Sequence, residues 1–225
     1  MRNKTEISFR DLRLIPNLFS LLRILLTPFI GYFLSINTPR SIIVSVIFLA
    51  AAGITDFLDG FLARRLNQIT PLGIILDPVA DKIFTMALIV ELTYFRGFPI
   101  WLAIAIVARD FLIMLAGLKI LKSRRIELPS NLTGKYYFAT LSLLIFSYIV
   151  HFPFGEKIFF YIGILLLIMS GLNYARIFFV ARRGGQIPVF ADKPVYKYAR
   201  LLITILVVIL GLYMFYFEVV TGYIQ

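Results

Sequence analysis

The fold class this sequence predicts is all-α integral membrane: a six-helix transmembrane bundle, a seventh hydrophobic helix after it and a short N-terminal interfacial helix before it. Three observations predict it. Of 225 residues, 60% are hydrophobic and only 16% charged, with a mean hydropathy of +0.89, whereas a soluble domain carries about 25% charged residues. Apolar stretches of roughly the 20 residues that a bilayer-spanning helix requires recur along the chain. Between those stretches, positive charge falls on alternate connections, as it does when every other connection faces the cytoplasm.

The elements follow in order. Phe9 to Arg13 mixes charged and apolar residues, which suits a short helix lying in the interface and equally a solvated basic tail. Pro16 and Asn17 mark the start of the first span, Asn17 as its cap. Spans are expected at 15–35, 41–62, 72–95, 99–121, 136–152 and 158–180, with a seventh at 201–220. The first is read as a retained helix, because no small-residue cleavage site follows it. Arg23 sits two turns inside it and must face a polar interior, as a ligand contact or in a structural ion pair. Short turns at 37–40, 96–99 and 152–156 lie on one side, flanked by Tyr94, Trp101 and His151 as interfacial anchors. Residues 1–183 form the transmembrane domain, and 184–225 a linker with Gly184, Gly185, Pro188 and Pro194 leading to the last helix.

A net charge of +11 would suggest nucleic acid in a soluble protein. Here it is topological, and no nucleic-acid partner is expected. With the N-terminus inside, the inner connections collect Arg64, Arg65, Lys122, Arg124, Arg125, Lys135, Arg182 and Arg183, while the outer turns hold Arg40, Arg96 and Lys157. That bias puts the N-terminus and the carboxylates on the cytoplasmic side of a multi-pass chain, with anionic lipid headgroups beside its basic inner face, and with no organelle-targeting feature in the sequence a plasma (inner) membrane is expected. With no cysteine and one histidine, any metal site must use oxygen ligands.

Four of the twelve acidic residues, Asp56, Asp59, Asp77 and Asp81, fall at the inner ends of the second and third spans. Residues three or four apart on a helix share a face, so each pair converges, and an antiparallel turn brings the pairs together. Four carboxylates gathered in a membrane repel one another unless a cation neutralises them. Hard oxygen ligands suit Mg²⁺, Mn²⁺ or Ca²⁺. Pairing with Arg64, Lys82 and Arg109 would leave the small residues Gly53, Gly60, Ala63 and Gly73 unexplained. Those admit either a flat ligand or close helix packing.

The run Asp56-x-x-Asp59-Gly60-x-x-Ala63-Arg64, then eight residues, then Gly73-x-x-x-Asp77-x-x-x-Asp81 matches every fixed position of the CDP-alcohol phosphotransferase signature. The chain from about Pro16 to Arg183 resembles that family. The resemblance implies that Asp56, Asp59 and Asp77 bind the metal, Mg²⁺ or Mn²⁺, and the CDP pyrophosphate. Asp81 would be the general base and also touch metal. Gly60 and Ala63 would lie under the cytidine, Arg64 would contact the nucleotide, and Thr55 is a further nucleotide candidate. The implied reaction moves a phosphatidyl group from CDP-diacylglycerol to an alcohol with release of CMP, in enzymes that are often homodimers.

Arg109, Lys135 and the pair Arg124 and Arg125 lie near the inner ends of the fourth and fifth spans, where a phosphate-bearing acceptor could meet them. Arg109-Asp110 with Gly134-Lys135 resembles the phosphatidylglycerophosphate synthase branch, whose acceptor is glycerol 3-phosphate. Gly117 stands where that branch commonly has a second basic residue. The cardiolipin synthase-like branch, with phosphatidylglycerol as acceptor, shares the other features, and inositol phosphate is a third acceptor. From a different class, an ion-coupled transporter would use intramembrane aspartates as a relay, but these cluster at one end.

Overall fold

The computed structural model describes residues 9–66, 68, 70–124 and 132–182, with Tyr213 and Tyr216. A 3-10 helix, Phe9–Arg13, precedes α1 (Ile15–Ile36), α2 (Pro39–Arg65), α3 (Pro71–Arg96), α4 (Ile100–Arg124), α5 (Leu132–Val150) and α6 (Pro153–Arg182), and no strand occurs among the described residues. Each of the six expected spans is a helix with limits a few residues from those expected. Of these, α1, α2 and Pro153–Val180 of α6 are long and apolar enough to cross a membrane. In α3 the apolar run is diluted by Asp77, Asp81, Lys82 and Glu91. The 184–200 linker and, but for Tyr213 and Tyr216, the seventh helix lie outside the described residues.

Proline sets where several helices begin. Pro39, Pro71 and Pro153 each occupy the first position of a helix, where a missing N–H loses no hydrogen bond and the fixed φ is already helical. Thr38 and Ser41 cap α2 reciprocally: the Thr38 hydroxyl accepts from the Ser41 N–H at 3.2 Å, and the Ser41 hydroxyl from the Thr38 N–H at 2.9 Å. Thr70 caps α3 by accepting from the Gly73 N–H at 3.0 Å. The start of α1 differs from expectation. It begins at Ile15 after Leu14, with no side-chain cap, because Pro16 fits just inside the first turn and carries Asn17 into the helix. Buried Asn17 instead donates to the Asp11 carbonyl at 2.6 Å, tying the 3-10 helix to α1.

The chain divides into two compact units, 1–99 and 100–225. In the first, α1 packs against both α2 and α3. Lipid tails are as apolar as leucine, so close packing of small residues and polar contacts must hold such helices together. Ser20 and Ser45 are fully buried, as are Ile30 and Leu34. Gly31 of α1 lets the Glu91 side chain of α3 pass where a Cβ would come within 2.6 Å of its carboxyl group. Away from the aspartates, Arg96 at the end of α3 donates to the Asn37 side chain in the α1–α2 turn. Gly97, at φ +70°, ends α3 in a left-handed turn that glycine adopts without steric penalty.

In the second unit α6 packs against α5 and α4. The α5–α6 connection turns at His151 and is closed by the Phe152 N–H donating to the Ser147 carbonyl at 2.9 Å. Leu141, Leu144 and Ile149 fill the interior of this unit. At the far end of the hairpin the Asn173 amide donates to the Thr133 hydroxyl at 3.0 Å.

Candidate active site

The C-terminal part of α2 supplies Asp56 and Asp59, and α3 supplies Asp77 and Asp81. Continuous helix carries both pairs, since α3 runs unbroken through Pro78. The residue that gathers them is Arg23 of α1, 2% exposed. Its Nη2 lies 3.0 Å from Asp56 Oδ1 and 2.6 Å from Asp59 Oδ2, and its Nη1 contacts Asp81 Oδ1. Asp77 is held separately, accepting a hydrogen bond of 2.7 Å from the buried Ser20 hydroxyl one turn before Arg23. One helix thus orients all four carboxylates. Charge-assisted pairs of this kind are the stronger ones available to a side chain.

Exposure varies across the cluster. The Asp59 side chain is 6% exposed, those of Asp81 and Asp56 39% and 59%. Asp59 is therefore the anchored member, and Asp56 and Asp81 are open to an incoming group. Among the described residues no three carboxylates already enclose an ion-sized point; three point at a guanidinium instead. The donor set still fits a divalent cation in its chemistry. It comprises hard carboxylate oxygens from two helices consecutive in the chain, with two members accessible.

The small residues separate into two kinds. A Cβ at Gly73 would come within 2.8 Å of Asn17 Oδ1 and 3.3 Å of Thr70 Oγ1. Gly73 therefore serves the close approach of α1 and α3. A Cβ at Gly60 would meet only the Arg64 Nη1, at 3.9 Å, and one at Gly53 nothing within 4 Å. The surface over Gly60 is open, with half-buried Ala63 and exposed Arg64 one turn on. Thr55 is buried and donates to the Ala52 carbonyl at 2.7 Å, so its hydroxyl meets a ligand only as an acceptor.

A second polar cluster belongs to the other unit. Arg109 of α4 lies over the Tyr137 ring at 4.5 Å and the Tyr174 ring at 5.5 Å. It donates to Asp110 Oδ1 at 2.7 Å and to the Ser170 hydroxyl. Gly134 makes the space: a Cβ there would lie 3.4 Å from the Tyr174 hydroxyl and 3.9 Å from Arg109 Nη2. Lys135 follows at the exposed start of α5. Arg124 is the last residue of α4, its side chain outside the described residues, as is Arg125.

The aspartates paired by spacing do converge in the structure, but no expectation included Ser20 or the companions of Arg109. Arg23 carried a signal, an arginine deep in an apolar span, yet the ion pairs weighed for the aspartates used Arg64, Lys82 and Arg109. Ser20, Ser170 and the tyrosines carried none, since such residues are common in membrane helices.

The model of one protein family, CDP-alcohol phosphatidyltransferase, matches residues 13–169. The chain is 42% identical over 135 residues to a CDP-diacylglycerol–glycerol-3-phosphate 3-phosphatidyltransferase of Aquifex aeolicus, covering 58% of this chain and 73% of that one. It is 30% identical over 169 residues to the enzyme so named in Rickettsia bellii, covering 71% and 92%. With the cardiolipin synthase (CMP-forming) of Homo sapiens it shares 42% identity over 124 residues, covering 55% of this chain and 40% of that one.

Proposed function

This chain belongs to the CDP-alcohol phosphatidyltransferase family, and from that premise we propose that it transfers a phosphatidyl group from CDP-diacylglycerol to glycerol 3-phosphate, releasing CMP. The observation that carries the reading is the convergence of the four signature aspartates beside an open Gly60 surface. Asp56, Asp59 and Asp77 are assigned to a divalent cation, Mg²⁺ or Mn²⁺, and Asp81 borders it. When bound, such an ion offsets the charge of the pyrophosphate and makes CMP a better leaving group.

The chain's own residues do the rest. Asp81, partly exposed and fixed by Arg23, accepts the proton of the attacking hydroxyl. The acceptor oxygen bonds to the lipid-side phosphorus as the bond from that phosphorus to the CMP oxygen breaks. Gly60 and Ala63 leave room for the base, Arg64 meets the nucleotide, and Thr55 offers it an acceptor. Arg109 and Lys135, with Arg124 and Arg125, attract the acceptor's phosphate. The protein is a multi-pass membrane enzyme of six spans plus the C-terminal hydrophobic helix, its 3-10 helix lying in the interface. Its N-terminus and active site face the cytoplasm of a plasma membrane, and it works as a homodimer.

The second reading is transfer to phosphatidylglycerol, favoured by the 42% identity to a cardiolipin synthase and by Gly117. Purified full-length protein with labelled CDP-diacylglycerol tests both. Glycerol 3-phosphate should support CMP release, and phosphatidylglycerol, inositol phosphate and serine should not. Product from phosphatidylglycerol alone overturns the acceptor assignment. Asp59→Asn and Asp81→Asn should each lower turnover by about 10²–10⁴-fold, and full activity in either removes that residue's role.

A further inference from the structure

We propose that Arg23 is the built-in counter-cation of the aspartate cluster, holding it together when no divalent ion is bound and competing with that ion for the same carboxylate oxygens. The inference rests on the metal reading above. Arg23 is 2% exposed, and its two terminal nitrogens reach Asp56, Asp59 and Asp81 on two other helices. Neither its Nε nor its Nη1 makes a hydrogen bond among the described residues, so the Nη2 bond to Asp59 and the ion pairs with Asp56 and Asp81 are what fixes the guanidinium.

A buried arginine of this kind does two things. It relieves the repulsion that would drive α2 and α3 apart in a metal-free chain. It also claims the oxygens a metal needs. Guanidinium nitrogens sit about 2.7–2.9 Å from a carboxylate oxygen, whereas Mg²⁺ requires about 2.0–2.1 Å. The two cations cannot occupy the centre of one trio of oxygens, and they repel each other. Asp77, held by Ser20 and not by Arg23, is the member free to take the ion first. Metal binding then proceeds by exchange of Arg23 Nη2 for the ion at Asp56 and Asp59, with Nη1 kept on Asp81, and its affinity is lower than the carboxylates alone would provide.

Full-length protein purified in detergent with Mn²⁺ and then stripped with EDTA provides the test. Mn²⁺ affinity is read by electron paramagnetic resonance, and the unfolding temperature is measured in EDTA and in saturating Mn²⁺. Arg23→Gln and Arg23→Lys should each bind Mn²⁺ on the order of tenfold more tightly than the parent chain. The lysine variant keeps the charge but, with one nitrogen, cannot bridge three carboxylates. Both should unfold at lower temperature in EDTA, with the deficit largely removed by Mn²⁺. Unchanged or weaker Mn²⁺ affinity in both variants, or an equal loss of stability in EDTA and Mn²⁺, overturns the proposal. If Arg23→Gln folds in neither condition, Arg23→Lys decides alone. Asp59→Asn separates the two ideas. Parent-like Mn²⁺ binding in Asp59→Asn overturns the metal assignment itself, whereas its loss there with unchanged Arg23 variants overturns only the role of Arg23.

Discussion

Replacing Gly53, Gly60 and Gly73 by alanine, one at a time, separates glycines kept for packing from one kept for a ligand. At Gly73 the new Cβ would lie 2.8 Å from Asn17 Oδ1, short of the 3.4 Å of ordinary contact. Asn17 is buried and bonded to the Asp11 carbonyl at 2.6 Å, so making room for the Cβ stretches or bends that bond and at the extreme breaks it. Overpacking costs about 1–3 kcal/mol and a lost hydrogen bond about 1 kcal/mol, against about 1 kcal/mol gained from alanine in a helix. The net expectation is a loss of about 1–3 kcal/mol, or roughly 3–10 °C for a chain of this size. Turnover falls with it, because α3 carries Asp77 one turn further on. Gly53→Ala has open space and should be neutral or slightly stabilising, with activity unchanged. Gly60→Ala should fold as well as the parent yet lose more than about tenfold in activity, because its Cβ intrudes on the surface assigned to the nucleotide. Thermal unfolding in detergent and CMP release measure both quantities for all three. Gly73→Ala as stable as Gly53→Ala, or Gly60→Ala with parental activity, would refute this division.

Three further changes probe other parts of the chain. Ser20→Ala removes the hydrogen bond to Asp77 and should lower kcat several-fold while shifting stability by only about 1 kcal/mol; an unchanged kcat would show that Ser20 does not orient Asp77. Arg109→Lys keeps the charge but loses the planar group set over Tyr137 and Tyr174, so the KM for glycerol 3-phosphate should rise more than the KM for CDP-diacylglycerol, as initial rates with each substrate varied will report. Arg96→Ala breaks the contact with Asn37 between the turns at the opposite end of α3 and should lower the unfolding temperature by an amount equivalent to about 1–3 kcal/mol, leaving both KM values unchanged.

The helices were legible because each is encoded locally. Runs of apolar residues bounded by Pro39, Pro71, Gly97 and Pro153 mark α2, α3 and α6 without reference to the rest of the chain. Small errors came where two local signals compete. Asn17 has the chemistry of a cap, yet Pro16 beside it starts the helix earlier and leaves Asn17 to bond Asp11. The signature was legible for the same reason: Asp56 with Asp59, and Asp77 with Asp81, share helix faces by spacing alone.

Sequence alone therefore determined an all-helical membrane chain, four aspartates paired on two helices, and the family to which their spacing belongs. Tertiary structure decided what faces those aspartates. Arg23 meets Asp59 across 36 residues, Ser20 meets Asp77 across 57, and Arg109 meets Ser170 across 61. Periodicity records which side of a helix is polar, but not which residue of another helix will fill the space beside it. That choice is made when α1 packs between α2 and α3, and it turns an arginine buried in an apolar span into the centre of the carboxylate cluster.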